Sequence, residues 1–91
     1  MSGVTRRLEI VNVKGLHARA SAKFVDVVER FDAEASVEKD GIQVSGDSIM
    51  GLLMLAAPMG SEITVLTSGR QAVELADALQ ALIADYFGEG M

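Results

Sequence analysis

Cysteine and tryptophan are absent from this 91-residue sequence, and histidine and proline each occur once, at His17 and Pro58. Without cysteine the chain can form neither a disulfide framework nor a thiolate metal site, and such a composition is typical of a reducing compartment. A single histidine likewise excludes a histidine-rich metal cluster. We therefore expect a cytoplasmic protein that needs no metal and no bound cofactor.

Positive charge and long apolar runs are also scarce. The sequence has 8 Lys and Arg residues against 13 Asp and Glu residues, a formal net charge of -5, whereas nucleic-acid binding requires a basic face. The longest apolar stretch, residues 49–59, contains Gly51 and Pro58 and is far shorter than the roughly 20 residues that span a membrane. Residues 1–7 contain no apolar signal core. The expected partner is a protein, and neither a nucleic acid nor a membrane.

Four segments alternate apolar and polar residues with the period of a half-buried strand. They cover residues 5–11, 33–38, 42–44 and 62–68. The dipeptide Asp40-Gly41 offers a tight turn between the second and third segments, which predicts a hairpin. β-Branched residues are dense in the fourth segment and favour an extended backbone there.

Three further segments have apolar residues at helical spacing. The first follows His17, the second covers residues 49–57, and the third is expected over residues 72–88. Ser68 and Gln71 have the spacing of a capping box in front of the third segment. The sequence therefore predicts three helices.

The resulting element order is β-α-β-β-α-β-α in a single domain over residues 1–91. Four antiparallel strands with a polar face in water, and three helices on the other face, would bury every apolar stripe. This is an α+β open-faced β-sandwich with a four-stranded antiparallel sheet. The order of the strands within the sheet does not follow from the sequence.

The stretch from Gly15 to Ser21 contains the candidate reactive group, His17. Gly15 lets the backbone turn and an alanine-rich run follows, so His17 is predicted at or beside a helix N-terminus. Unpaired N–H groups and the helix dipole stabilise an anion there, and Arg19 adds a cation. Since a neutral imidazole can attack an electrophilic phosphorus, these residues suggest a phosphohistidine. The alternative is a lone capping or surface histidine beside a solvated arginine.

The run from Ile49 to Leu55 would be apolar on every side of a short helix. In so small a domain one side is expected to meet water, and an exposed apolar patch usually marks a partner surface. Met50 and Met54 suit such a surface because flexible thioethers repack against different shapes. The alternative is a wholly buried core helix. Ser48 is placed to cap the helix.

Two pentapeptides, at this separation and in this order of elements, resemble the HPr family of phosphocarriers of the bacterial phosphoenolpyruvate-dependent phosphotransferase system. They are Gly15-Leu16-His17-Ala18-Arg19 and Ser48-Ile49-Met50-Gly51-Leu52. The resemblance covers nearly the whole chain and implies a single HPr-like domain. It also implies a phosphotransfer intermediate rather than a stand-alone catalyst, in either the sugar-transport or the nitrogen-related branch of the family.

The same resemblance implies roles for individual residues. His17 would accept a phosphoryl group on Nδ1 from phosphorylated enzyme I, itself charged by phosphoenolpyruvate, and pass it to A-type acceptor domains. Arg19 would assist both transfers, and the backbone N–H groups of Ala18 and Arg19 would hold the phosphoryl oxygens. Ser48 matches a regulatory serine that an HPr kinase/phosphorylase modifies in some bacteria. The alternative for Ser48 is an ordinary N-cap.

A docking surface around the histidine and the second helix is also implied by the resemblance. Its five residues would be Leu16, Ala20, Ile49, Met50 and Leu53. Since this surface must stay free to alternate between partners, we expect a monomer. Ala20 stands where the family often has proline. Alanine holds the first helical turn by propensity alone, so we expect a somewhat more mobile site.

Two other functional classes fit parts of the sequence. A non-enzymatic regulatory module would bind a protein through the second helix while His17 stays structural, but the presence of His17 together with Arg19 disfavours it. A small-ligand-binding domain would need a pocket of convergent polar groups, and the sequence contains no such cluster. Only the phosphocarrier should acquire an acid-labile phosphoryl group at His17.

Overall fold

The computed structural model describes residues 3–89. Its helices and strands are β1 (Gly3–Glu9), α1 (Ala18–Glu29), β2 (Glu34–Lys39), β3 (Ile42–Ser45), α2 (Ile49–Met54), β4 (Glu62–Ser68) and α3 (Ala72–Ala84). A 3₁₀ turn at Tyr86–Gly88 follows α3. The predicted order of strands and helices is confirmed.

The four strands form one antiparallel sheet in the order β1-β4-β2-β3. β4 lies between β1 and β2, and its last residue, Ser68, is opposite Gly3 of β1. β2 and β3 form the predicted hairpin through Asp40 and Gly41, whose φ angles of 53° and 82° suit a two-residue turn. The site described below lies at the end of the sheet where β1 finishes, opposite the Gly3–Ser68 end.

The helices cover one face of this sheet. α3 packs against β1 and β4, α2 packs against β3, and α1 packs against both other helices. The largest fully buried apolar side chains are Ile10, Phe24, Val37, Leu52, Ile63, Val65, Leu75, Leu79 and Phe87. Each such side chain contributes roughly 1.5–3 kcal/mol by leaving water. The molecule is therefore the open-faced β-sandwich that the patterning predicts.

None of the helices within residues 3–89 is both long enough and apolar enough to cross a bilayer. The longest, α3, has 13 residues, which is below the roughly 20 residues that a span requires.

Two helices end earlier than the sequence pattern predicts. α2 stops at Met54 instead of continuing to Ala57, because a residue before proline avoids helical backbone and Ala56 already has a φ of 49°. α3 stops at Ala84 rather than near Gly88. In the turn beyond it, Tyr86, Phe87 and Gly88 have positive φ angles, which end the helix. Phe87 is nevertheless buried in the core, as the apolar pattern predicts.

The predicted capping box of α3 is wrong. Ser68 is the last residue of β4, and Gln71, the N-cap residue of α3, makes no side-chain hydrogen bond to the helix. Its Oε1 accepts the N–H of Asp32 at 2.8 Å instead. Gln71 therefore ties the start of α3 to the loop between α1 and β2, a use that local sequence spacing does not reveal.

Candidate functional site

His17 is the N-cap residue of α1, which confirms its predicted position. Its backbone is extended, and its carbonyl accepts the N–H of Ser21 at 2.8 Å. The side chain turns back over the helix end, so that Nδ1 accepts the N–H of Arg19 at 3.2 Å. Nδ1 therefore lies at the positive end of the helix dipole.

Gly15 fixes the approach of the chain to α1. Its φ is 68°, and a Cβ there would lie 2.4 Å from the carbonyl oxygen of Ala57 and 2.9 Å from Cα of Pro58. The next residue, Leu16, donates its N–H to the same Ala57 oxygen at 2.9 Å. Only glycine fits this contact, which places His17 beside the segment that follows α2. The two line one shallow surface cleft.

The other ring nitrogen of His17 contacts a carboxylate. Nε2 lies 2.6 Å from Oε2 of Glu89, and the two side chains are only 25% and 14% exposed. Because Nδ1 accepts a hydrogen bond from an N–H group, the proton of the neutral ring lies on Nε2, which donates it to Glu89. Nδ1 is left with an unprotonated lone pair.

Glu89 is held by a second partner and is ionised at neutral pH. Nδ2 of Asn12 donates to Oε1 of Glu89 at 3.3 Å and to the carbonyl of Gly15 at 2.8 Å. Burial acts to raise the pKa of Glu89. Hydrogen bonds from His17 and Asn12, together with the charge of Lys14 and the charge that His17 carries when its ring is protonated, outweigh burial, so the pKa lies below its usual value. A negative charge therefore faces the imidazole ring.

Neither Asn12 nor Glu89 is among the site residues that the sequence predicts. Asn12 continues the inward alternation of Leu8 and Ile10, and a polar residue in an inward position was the one available signal of a buried polar role. Glu89 gives no comparable signal, because it lies 72 residues from His17 and no local pattern links the two.

Cationic side chains surround an open cleft next to this pair. Lys14, Arg19 and Lys23 line a cleft of about 340 Å³, together with Glu89. Arg19 is exposed, so its guanidinium is accessible to an incoming anion, and the three cations attract one. Residues 3–89 contain no group of three or more His, Asp or Glu side chains that would hold a metal ion.

The backbone N–H groups predicted to hold phosphoryl oxygens open α1. The N–H of Arg19 is engaged with Nδ1 of His17, while the N–H of Ala18 has no acceptor among the described residues. Both residues are exposed. The structure therefore brings two helix N-terminal donors, an arginine and an unprotonated imidazole nitrogen to one place, an arrangement suited to an anion bonded to Nδ1.

Ser48 is the N-cap residue of α2, and its Oγ accepts the N–H of Gly51 at 3.0 Å. The helix behind it is partly exposed, as predicted. Met50 and Met54 are each 70% exposed and Ile49 is 40% exposed, whereas Leu52 is fully buried. The alternative of a wholly buried core helix is therefore wrong.

Two of the five residues predicted to form the docking surface are buried. Leu16 is 4% exposed and Ala20 is fully buried, and both belong to the hydrophobic core. Leu16 is turned inward by the left-handed backbone of Gly15, and Ala20 lies on the apolar face of α1. The predicted surface is corrected to its exposed part on α2, with Leu53 half-buried beside it.

Comparisons with known proteins place the whole chain beside one family. The family described as PTS HPr component phosphorylation site matches residues 4–85. A phosphocarrier protein HPr from Cupriavidus necator is 48% identical over 85 residues, which cover 93% of this chain and 96% of that protein. A phosphocarrier protein NPr from Shewanella violacea is 39% identical over 89 residues, with 98% of each chain covered. The crystal structure of an HPr from Bacillus anthracis has a TM-score of 0.87 and 41% identity, covering 91% of this chain and 99% of that one.

Proposed function

Because the chain belongs to the PTS HPr family, we propose that it is a phosphocarrier whose His17 accepts a phosphoryl group from phosphorylated enzyme I and passes it to A-type acceptor domains. One observation carries the proposal. Nδ1 of His17 lies at the N-terminus of α1, 3.2 Å from the backbone nitrogen of Arg19, whose N–H it accepts. This hydrogen bond assigns the ring proton to Nε2. The protein is an intermediate in the transfer and not a stand-alone catalyst.

The transfer needs no proton movement at the attacking nitrogen. The lone pair of Nδ1 forms a bond to phosphorus, the bond between phosphorus and the donor atom of enzyme I breaks, and that atom keeps the electron pair. The hydrogen bond from the N–H of Arg19 to Nδ1 is given up as the lone pair bonds phosphorus, so this N–H is free for a phosphoryl oxygen, and the N–H of Ala18 binds another. A charge-assisted hydrogen bond contributes roughly 1.5–3 kcal/mol, which orients the group without trapping it.

Arg19 acts in both directions of transfer. Its exposed guanidinium lines the cationic cleft with Lys14 and Lys23 and contributes a planar donor for phosphoryl oxygens. Since the group has to leave again, an exposed arginine in water is better suited than a buried one, which would bind the phosphate too tightly.

Partners dock on the exposed part of α2, the residues Ile49 and Met50 with Leu53 at the edge. Both enzyme I and the acceptor domains use this surface in turn, so the protein acts as a monomer in the cytoplasm. Ser48 begins the same helix, and an HPr kinase/phosphorylase that adds a phosphate to it would place about two negative charges beside the docking residues. Phosphorylation of Ser48 therefore lowers acceptance at His17.

The experiment that tests the proposal is intact-mass analysis after incubation with phosphoenolpyruvate and a bacterial enzyme I. Wild-type protein should gain a single acid-labile phosphoryl group, and His17→Ala should gain none. The branch of the family is identified by adding sugar-type and nitrogen-type A domains to the charged protein. The type of domain that removes the phosphoryl group shows the branch. If the wild type stays uncharged while a known HPr is charged in the same assay, the proposal fails and a regulatory binding module takes its place.

A further inference from the structure

The carboxylate of Glu89 lies at the ring nitrogen that does not attack. Its Oε2 is 2.6 Å from Nε2 of His17, within a pair whose side chains are mostly shielded from water. At this distance the contact is a charge-assisted hydrogen bond, shorter and stronger than one between neutral groups. The ring of His17 is therefore held between two fixed partners, the helix N-terminus at Nδ1 and a carboxylate at Nε2.

The segment that carries Glu89 has an unfavourable backbone that its surroundings keep in place. Tyr86, Phe87 and Gly88 have φ angles of 58°, 53° and 75°, and two of these three residues have side chains that disfavour the left-handed region. Phe87 is nevertheless fully buried in the core, and its carbonyl accepts a hydrogen bond from Nζ of Lys23 on α1 at 2.6 Å. The strained turn is thus anchored to α1, and its geometry directs Glu89 to the ring.

Asn12 connects this carboxylate to the loop before the histidine. Its Nδ2 bonds both Oε1 of Glu89 and the carbonyl of Gly15, and the residue is fully buried. The opposite orientation of the amide would place Oδ1 against two acceptors, so the observed one is the orientation that fits. Both carboxylate oxygens of Glu89 therefore have donors, one from Asn12 and one from His17.

We propose that Glu89 is a positioning residue for phosphoryl transfer: it holds His17 with the proton on Nε2 and stabilises the positive charge that the ring acquires when Nδ1 bonds phosphorus. This inference rests on the proposed function. In the forward step the Nδ1–P bond forms and Nε2 keeps its proton, so the ring becomes cationic opposite the carboxylate. In the return step the electron pair of the Nδ1–P bond goes back to Nδ1, and the leaving group is a neutral imidazole rather than an imidazolate.

The charges around the ring make Glu89 the group to test. The cations Lys14, Arg19 and Lys23 line the neighbouring cleft, and residues 56–58, on the other side, contribute only alanine and proline. Within residues 3–89, Glu89 is the one carboxylate hydrogen-bonded to the ring. Removing its charge removes the one anionic side chain that is hydrogen-bonded to the ring, so the phosphorylated ring with a proton on Nε2 should be less stable.

Glu89→Gln is the informative variant, because the amide keeps the shape and one acceptor oxygen but removes the charge. We expect the rate of transfer from charged protein to an A-type domain to fall roughly tenfold, the difference between a charge-assisted and a neutral hydrogen bond. We also expect the alkaline limit of the transfer rate to move to lower pH. Glu29→Gln is the matched control, because Glu29 is exposed at the far end of α1 and makes the same change in net charge.

Structural integrity and tautomer are measured on the same samples. Backbone amide spectra should match the wild type in Glu89→Gln and Glu29→Gln. A third variant, Glu89→Ala, removes the partner of Nε2. The ¹⁵N shifts of the imidazole should show Nε2–H in the wild type and a mixture of tautomers in Glu89→Ala. If the wild type is charged but Glu89→Gln transfers at the wild-type rate with an unchanged pH profile, the role of Glu89 is overturned and the proposed function stands. If the wild type is never charged, both are overturned.

Discussion

Gly15 shows how one missing side chain locates His17, the proposed reactive group. The carbonyl of Ala57 occupies the space that any Cβ at position 15 would fill, and the same carbonyl accepts the N–H of Leu16. The histidine is therefore positioned by backbone packed on backbone. Such a contact is stiffer than one made through flexible side chains, which suits the proposed role of the ring, in which Nδ1 alone attacks phosphorus.

Gly15→Ala should destabilise the protein by at least about 2 kcal/mol, because a left-handed alanine costs on the order of 1 kcal/mol and the clash with Ala57 adds to it. Gly41→Ala is the control: Gly41 also has a positive φ, but nothing lies within 4 Å of the place that a Cβ would occupy there. Urea unfolding of both variants measures the difference. Equal losses for Gly15→Ala and Gly41→Ala would show that the contact with Ala57 contributes nothing.

At the scale of the helices, α2 combines a cap with an exposed apolar side. Ser48 satisfies the N–H of Gly51, and a short helix depends strongly on such a bond because few of its backbone groups are paired internally. The side of α2 that faces the core holds Leu52, while Met50 and Met54 face water. A charge introduced at the cap therefore lies beside the proposed docking residues without entering the core.

Ser48→Asp should leave stability nearly unchanged, since aspartate is a good N-cap, and should slow phosphorylation of His17 by enzyme I. Ser48→Ala loses the cap and about 1 kcal/mol of stability but adds no charge, so its phosphorylation rate should stay near that of the wild type. Ser68→Asp controls for the added charge, because Ser68 is the last residue of β4 and lies at the end of the sheet away from His17. An initial rate for Ser48→Asp equal to that of Ser68→Asp argues against regulation through this position.

The N-terminus of α1 was predictable because its signals are local. A glycine, a histidine and an alanine-rich run lie within a few residues of one another, and their order alone places His17 at a helix start. The end of α3 and its N-cap were not predictable, because they depend on distant residues and on unusual backbone angles. Gln71 uses its side chain on Asp32, 39 positions away, and the turn at Tyr86–Gly88 takes backbone angles that tyrosine and phenylalanine do not favour.

For the whole molecule, alternation in the sequence revealed which side of each strand is buried, but it contains no information about which strand lies beside which. The observed order, β1-β4-β2-β3, depends on pairing between distant segments. The prediction of the docking surface was wrong for two of its five residues for a similar reason. Leu16 and Ala20 are close to His17 in sequence, yet their side chains point into the core that the other elements complete.

The stability of the whole molecule should depend on pH through Glu89. Its pKa is lower in the folded protein than in the unfolded chain, so folding is favoured by its ionised form. That contribution is fully present above the unfolded value, near pH 4.5, and is lost as the pH falls through the folded value.

The measurement is urea unfolding at about pH 7 and about pH 3. Wild-type protein should lose more stability between the two conditions than Glu89→Gln, which has no carboxyl group to protonate there. Glu29→Gln serves again as the control and should follow the wild type, because its exposed carboxylate lacks these partners. The expectation is contradicted if the wild type loses no more unfolding free energy between the two pH values than Glu89→Gln does.

The separation of 72 residues between His17 and Glu89 also has a consequence for biosynthesis. The histidine leaves the ribosome early, whereas its carboxylate partner follows all four strands and all three helices. A nascent chain stopped after α3 has made every strand of the sheet but has neither Phe87 to anchor the turn nor Glu89 to hold the ring. The imidazole therefore gains its second fixed partner only after the rest of the sandwich has been synthesised, and a product truncated at that point has the fold's framework with an unfinished site.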